Sequence, residues 1–271
     1  MSFINKNFGD KPSMLKPVAI AAAIILVIGC IYFLGDKSGS QGKSALGQNE
    51  QVSNVGDVEL VIAQWVKENP EAIIESLQSM QAKVAANKTQ DAKKNIVAKK
   101  EALFNDKKDP QYAPKKYDVT IIEFFDYACG YCKKVNKTIN ALIKEDKKIR
   151  VIYKEFPIFG KTSMEASTVA LAVNIMDPKS YVKFHDALMV SGKKGEAGAL
   201  EVAKSVGINV TKLKKTMKNK ASEIADQIQG NLTLGGSIGV TGTPGFVVGE
   251  DFIPGAVDLQ TFKDKVRTAR D

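Results

Sequence analysis

The sequence contains little histidine and little cysteine. Of its 271 residues, only His185 is a histidine, and only Cys30, Cys129 and Cys132 are cysteines. Because structural zinc sites usually take four protein ligands, this set argues against a zinc centre. Three cysteines are also too few for a disulfide framework, and they fit one redox-active pair plus one outlier. We expect no metal and no cofactor, and we interpret His185, on a predicted helix, as a solvated or capping residue.

A basic strand rich in aromatic residues is also missing. The net charge is +9, from 39 Lys and Arg against 30 Asp and Glu. The lysines are spread along the chain and alternate with apolar positions at helical spacing, which is typical of solvated helix faces. We therefore expect no nucleic-acid partner. With 44% hydrophobic and 25% charged residues, the chain has enough apolar content for one domain of good size and additional segments.

Residues 1–35 have the pattern of a membrane anchor or signal. A lysine-rich leader precedes an uncharged apolar run, Val18 to Leu34, which is long for a signal-peptide core and short for a spanning helix. We expect an uncleaved anchor in the inner membrane, with the remainder in the periplasm or cell envelope. Two alternatives stay open, namely cleavage near Ser38-Gly39-Ser40 and acylation of Cys30 in a lipoprotein-like sequence.

Two helical patterns follow a polar segment, residues 36–56, that is predicted to be a flexible tether. The first has helical spacing around Trp65, and the second begins at Pro70. The second carries a heptad pattern that a single helix cannot bury, formed by Ile73, Leu77, Met80 and Val84. We predict that residues 57–109 are a helical oligomerisation region, or stalk, that gives a dimer or trimer. The alternative is that both helices pack on the chain's own domain, and a polar stretch from Asn87 to Asp91 is a candidate hinge.

Residues 110–271 alternate between strand and helix patterns. A strand predicted from Tyr117 to Phe125 is followed by a helix and by a second strand from Ile149 to Phe156, the order of a parallel β-α-β unit. Residues from about 161 to 237 have helical spacing throughout, and two further strands and a last helix come after them. The prediction is an α/β domain with an all-helical insertion.

Cys129 and Cys132 follow the first predicted strand and fall in the first turn of the next helix. Two thiols three residues apart in a helical turn can touch. Unpaired N–H groups at the start of a helix carry partial positive charge, which favours a thiolate at Cys129. Such a thiolate is a nucleophile toward disulfides, and Asp126 and Tyr127 are expected to shape the loop before it.

Two motifs together carry a resemblance to a known family. Cys129-Gly130-Tyr131-Cys132 after one strand and Thr241-Gly242-Thr243-Pro244 before another resemble the thioredoxin-fold disulfide oxidoreductases of bacterial cell envelopes. The resemblance covers the chain from about Tyr117 to its end. The single helical block is similar to DsbA-type proteins, whereas the Cys-Gly-Tyr-Cys tetrad and the Thr-Pro pair are more similar to the isomerase DsbC. The helical extension before the domain is similar to that of the oligomeric ScsC proteins.

The resemblance implies a thioredoxin fold with Cys129 and Cys132 as its catalytic thiols. It implies that Glu123 is a buried acid beneath Cys132, where it can take or give the proton of that thiol. It also implies that Pro244 is cis. The residues that would bind a client peptide are Thr243, Pro244, Gly130 and Tyr131.

The reaction expected from these residues is thiol-disulfide exchange. We expect an envelope disulfide isomerase that acts on cysteine-containing client proteins and is recycled by a membrane redox partner. A monomeric dithiol oxidase of the DsbA type and a non-catalytic membrane-anchored surface protein are the alternatives.

Overall fold

The structure is a computed structural model and describes residues 55–271. The predicted anchor, with its two alternatives, and nearly all of the predicted tether lie outside the described residues. Across residues 55–271, no helix is both long enough and apolar enough to cross a membrane. The chain divides into two compact units, with the boundary between Trp65 and Val66.

The described part of the chain forms ten α-helices and five β-strands. The helices are α1 (Val55–Glu68), α2 (Pro70–Ala98), α3 (Lys100–Phe104), α4 (Gly130–Glu145), α5 (Lys161–Met176), α6 (Pro178–Ser191), α7 (Gly195–Ser205), α8 (Val210–Asn219), α9 (Ala221–Ser237) and α10 (Leu259–Thr268). The strands are β1 (Gln111–Tyr112), β2 (Val119–Phe125), β3 (Ile149–Glu155), β4 (Gly245–Val248) and β5 (Asp251–Pro254).

The five strands form one sheet in the order β1-β3-β2-β4-β5. Strands β2 and β3 are parallel, as the strand-helix-strand pattern predicts, and the other three pairs are antiparallel. Helices α5 to α9 lie in sequence between β3 and β4, so the prediction of a thioredoxin-like α/β fold with a helical insertion is confirmed. Strand β1 was not predicted from the sequence.

Alternation along β2 divides its side chains between two hydrophobic cores. Ile121 and Phe125 face the core that contains α4 and the helical insertion. Ile122 and Phe124 face a smaller core on the other side of the sheet. Both faces of β2 are covered by these cores, which explains why the strand is almost uniformly apolar rather than alternating with polar residues.

The second core includes residues that precede position 110. Ile96 near the end of α2 and Leu103 in α3 are buried there, and the Asn95 side chain donates a hydrogen bond of 2.9 Å to the carbonyl of Ser237. The division of the chain at residue 109 stays a prediction. The last part of α2 and α3 nevertheless pack on the sheet, so a truncation at Pro110 would open this core.

Helix α2 runs without interruption through the stretch from Asn87 to Asp91. The predicted hinge is therefore wrong. Alanine, lysine and glutamine, which surround this stretch, are good helix formers, and the Thr89 hydroxyl donates to the carbonyl of Ala85 at 3.0 Å. Leu77, Met80 and Val84 of the heptad pattern are exposed in the single chain.

Candidate active site

Cys129 and Cys132 lie where the strand-to-helix pattern predicts. Cys129 is the N-cap of α4, with extended backbone angles, and its Sγ accepts a hydrogen bond from the N–H of Cys132 at 3.4 Å. The loop before it is closed by a hydrogen bond of 3.1 Å from the N–H of Cys129 to the carbonyl of Asp126. Both cysteines are free thiols, 4% and 0% exposed. The loop and the helix start thus hold the two residues within one turn.

The Thr243–Pro244 pair lies directly against the first thiol. The peptide bond between these residues is cis, and the Cys129 Sγ–H donates to the carbonyl oxygen of Thr243 at 3.2 Å. Tyr131, which is 68% exposed, lines a groove of 570 Å³ together with Thr243 and Pro244. Gly130, the first residue of α4, has no atom within 4 Å of the position that a Cβ would occupy. The structure therefore brings four of the predicted residues to one edge of the dithiol.

Glu123 is fully buried on β2, and the structure couples it electrostatically to Cys132. Within residues 55–271 neither of its carboxylate oxygens has a hydrogen-bond partner. Burial, with a contribution from the charge of Asp186, raises the pKa of Glu123 to about 8. Burial, followed by the charge of Glu123, raises the pKa of the Cys132 thiol well above its usual range. Deprotonation of the Cys132 thiol at this site therefore requires a base. Glu123 lies close enough to Cys132 for its charge to raise the pKa of that thiol.

The residues of this site lie within the part of the chain that matches a known protein family. The model for the DSBA-like thioredoxin domain matches residues 120–267, which include Glu123, both thiols and Pro244. The chain belongs to the DSBA-like thioredoxin domain family.

Two solved structures extend the comparison for this DSBA-like chain. A thioredoxin-like oxidoreductase from Silicibacter pomeroyi DSS-3 is 36% identical, and the match covers 63% of this chain and 96% of that one with a TM-score of 0.59. ScsC from Proteus mirabilis, in a transitional conformation, is 27% identical, and the match covers 79% of this chain and 96% of that one with a TM-score of 0.59.

Two curated proteins are also similar. Disulfide bond formation protein D from Bacillus subtilis (strain 168) is 27% identical over 161 residues, which are 55% of this chain and 71% of that protein. Na(+)/H(+) antiporter NhaA 1 from Salinispora arenicola (strain CNS-205) is 22% identical over 171 residues. That match covers 60% of the DSBA-like chain but only 25% of the antiporter.

Asp126 connects the loop before Cys129 to the segment that follows β3 through hydrogen bonds. Its carboxylate is buried and accepts hydrogen bonds from the N–H groups of Ala128 at 2.7 Å, Ile158 at 2.8 Å and Phe159 at 3.0 Å. This agrees with the expectation that Asp126 shapes the loop. The two downstream partners could not be inferred from the sequence, because they lie more than 30 residues away.

Glu155, at the end of β3, is the centre of a buried polar network that the sequence analysis missed. Its carboxylate accepts hydrogen bonds from Tyr181 Oη at 2.8 Å, Ser167 Oγ at 2.8 Å and Tyr127 Oη at 3.3 Å. Burial raises the pKa of Glu155 to about 8 despite these donors. The one signal available in the sequence is an acid at the end of an apolar strand pattern, whereas the role of Glu123 was implied by the family resemblance.

His185 belongs to this network, so the prediction of a solvated or capping histidine is wrong. Its ring is fully buried and packs among aromatic rings, with centroids 4.7 Å from Phe125 and 4.6 Å from Tyr153. Its Nδ1 lies 3.1 Å from Tyr127 Oη. Burial lowers the pKa of His185 to about 3, so the ring is neutral at physiological pH. The network ties α5 and α6 of the insertion to the loop that carries Cys129.

Proposed function

We propose that this DSBA-like thiol-disulfide oxidoreductase is a disulfide isomerase of the cell envelope. The observation that carries the exchange chemistry is the position of Cys129 Sγ. This sulfur accepts a hydrogen bond from the N–H of Cys132 at the start of α4, and its Sγ–H donates to the carbonyl of Thr243. It lies beside the groove that Tyr131 and Pro244 line. The groove beside this sulfur offers space for the client chain.

In this proposal Cys129 attacks one sulfur of a client disulfide. A sulfur–sulfur bond forms between Cys129 and the client, and the other client sulfur leaves as a thiolate. When a client thiolate displaces Cys129, the client is rearranged and no electrons are transferred overall. When Cys132 displaces the client instead, the client is reduced and a Cys129–Cys132 disulfide remains. Glu123 takes the proton of Cys132 in this second step.

We propose that the chain associates with itself through α2, which would favour isomerase over simple oxidase chemistry. Ile74, Leu77, Met80 and Val84 of α2 are between 46% and 56% exposed. Packing against a second and third copy would bury such side chains, as in helical assemblies with heptad patterns. The match with ScsC also covers more of the chain than the DSBA-like domain alone. An assembly would place several dithiols around one client, which raises their effective concentration.

Reactivation of scrambled ribonuclease by the full chain tests the isomerase. We expect reactivation that Cys129→Ser abolishes and that Cys132→Ser preserves in part, because rearrangement needs only the first thiol. Insulin reduction without ribonuclease reactivation would refute the isomerase assignment. Light scattering should give a dimer or trimer, and the Leu77→Glu, Met80→Glu variant should give a monomer that still reduces insulin.

A dithiol oxidase recycled by a membrane redox partner is the second candidate. It is favoured by the similarity to a protein that is named for disulfide bond formation. In this case the Cys129–Cys132 disulfide form of the full chain should oxidise a reduced client faster than the dithiol form rearranges a scrambled one. Measuring both rates with the same client decides between the two.

A further inference from the structure

Three lysines of the dithiol helix line a groove against the helical insertion. A cavity of 410 Å³ is bounded by side chains from α4 and by residues at the end of α6. Its lining residues are Lys133, Lys134, Lys137, Met189, Val190 and Gly192. Val190 is 65% exposed and gives the groove an apolar wall. We refer to this cavity as the lysine groove.

Within residues 55–271, the three lysines of the lysine groove have no acidic ion-pair partner. Among the ion pairs of residues 55–271, none involves Lys133, Lys134 or Lys137. The acid of α6 nearest to α4 is Asp186, and it accepts hydrogen bonds from Asn136 at 3.1 Å and Asn140 at 3.0 Å. Three like charges within two helical turns repel one another, so binding of an acidic partner would reduce the electrostatic repulsion among the three lysines.

The lysine groove adjoins the groove beside Pro244. Lys134 lines both cavities, and the second one also contains Tyr131 and Thr243. The acid in that second groove is Asp258, whose carboxylate is already engaged as the N-cap of α10 by the Thr261 N–H at 2.8 Å. Because Lys134 lines both cavities, a client peptide in the groove beside Pro244 can extend past Lys134 into the lysine groove.

We propose that the lysine groove is a second client-binding surface, which selects polypeptide segments that carry acidic residues close to the reacting cysteine. Client carboxylates pair with Lys133, Lys134 and Lys137, and an apolar client side chain contacts Val190. Because the groove shares Lys134 with the groove beside the dithiol, its occupant is the client chain rather than a lipid surface. Charge complementarity of this kind acts mainly on the rate of encounter and is screened by salt. The proposal rests on the proposed exchange activity.

The test uses the reduced full chain and two disulfide-linked peptides that differ only in residues flanking the cysteine, glutamates in one and glutamines in the other. Stopped-flow rates should be about 5- to 10-fold higher for the acidic peptide at low ionic strength, and less than about 2-fold higher near 0.5 M salt. The variant Lys133→Gln, Lys134→Gln, Lys137→Gln should lose this preference. The matched control Lys214→Gln, Lys215→Gln, Lys218→Gln removes the same charge from exposed positions on α8 and should keep most of it.

The ratio of the two rates separates client selection from the reactivity of the dithiol, which affects both peptides equally. The double variant Lys134→Gln, Lys137→Gln changes only exposed side chains and guards against a folding defect from the half-buried Lys133. If neither peptide reacts, the exchange activity itself is refuted. If both react equally, or if the α8 control loses the preference as completely, only the lysine groove proposal is overturned. Binding to phosphatidylglycerol vesicles that depends on these lysines, without peptide preference, would also overturn it.

Discussion

Glu123 and Tyr153 are paired residues on the parallel strands β2 and β3, and both side chains are fully buried on the sheet face that carries the dithiol helix. Within the described chain, the carboxylate oxygens of Glu123 and the Oη of Tyr153 have no hydrogen-bond partner. Burial, and then the charge of Glu123, raises the pKa of Tyr153 well above its usual range. The carboxyl group and the phenol are thus both buried on the sheet face that also buries Cys132.

Replacing Glu123 with Gln should slow the attack of Cys132 on the mixed disulfide. Since the pKa of Glu123 is raised to about 8, its carboxylate form is gained as pH rises through about 8, and only that form accepts the Cys132 proton. The wild-type rate should therefore rise across this range. Glu123→Gln should be flat there and about 100-fold slower at high pH, the usual size of a general-base effect. Single-turnover decay of a mixed disulfide between pH 6 and 9, roughly, measures this.

Tyr153→Phe is the matched control, because it keeps the ring and the base but removes the phenolic hydroxyl. Within the described residues Tyr153 Oη makes no hydrogen bond, so its removal takes no donor away from the Glu123 carboxylate. We therefore expect Tyr153→Phe to keep both the pH midpoint and the plateau rate of the resolving step. Superimposable profiles for the wild type and Glu123→Gln would contradict the role of Glu123.

Glu155→Gln should change how stability depends on pH. The folded pKa of Glu155 is raised from 4.5 to about 8, so the folded state binds the proton more tightly than the unfolded state. Its contribution to stability is complete below about pH 4.5 and is lost as pH rises toward 8. Between pH 5 and 7 the loss is on the order of 3 kcal/mol. A neutral Gln keeps the shape of the protonated acid, so chemical denaturation at these two pH values should show a smaller difference in the variant.

His185 provides an internal check on this measurement because its effect has the opposite sign. Its folded pKa is lowered from 6.5 to about 3, so stability is lost as pH falls below 6.5 and the unfolded chain takes up the proton. Replacing His185 should flatten the acid limb and leave the decline toward pH 8 unchanged. A change in both limbs on one substitution would show that the network titrates as a unit.

The elements around the dithiol could be predicted because their signals are local. β2 and β3 are apolar runs long enough to define a period, and the Cys129 turn separates β2 from an amphipathic helix. Strand β1 has only two residues, too few for any period, and it exists because β3 offers an edge to pair with. Strand β1 can therefore be identified only from its pairing with β3 in the folded structure.

The missed parts of the site depend on partners that are distant in sequence. Glu155, Tyr181 and Ser167 come from three different elements, and nothing in their spacing indicates that they meet. His185 looked like a surface residue because its helix carries polar residues around it, yet the fold turns it toward Phe125 and Tyr153. Periodicity identifies a face of a helix but not what covers that face.

Gly235→Ala should destabilise the domain, because α9 approaches the sheet closely at this residue. A Cβ there would lie 2.5 Å from the ring of Phe156 and 3.1 Å from that of Phe124, and these rings already pack edge to face. Overpacking of this kind costs about 1–3 kcal/mol. Gly230→Ala, on the same helix with no atom within 4 Å, should instead stabilise by about 0.5–1 kcal/mol. Urea denaturation of both variants checks the sign, and equal effects would refute the packing argument.

Lys154 and Asp109 form a fully buried ion pair behind the sheet, and Lys154 Nζ also donates to the carbonyl of Ala102 at 2.9 Å. Lys154→Met leaves the Asp109 charge without its partner and should cost about 3–5 kcal/mol, whereas replacing both residues by apolar ones should cost less than this single change. Lys263→Met, which breaks the exposed pair with Glu145, should cost less than about 1 kcal/mol.

The pH dependence identifies the cause of the Lys154→Met defect. Burial raises the pKa of Asp109 to about 6, and Lys154 opposes that shift, so the pKa should rise further in the variant. Because the folded state then binds the proton more tightly, the variant should recover stability relative to wild type as pH falls from 7 toward 4. A defect of constant size across this range would point to lost packing of the lysine stem, since only an uncompensated carboxylate is relieved by protonation.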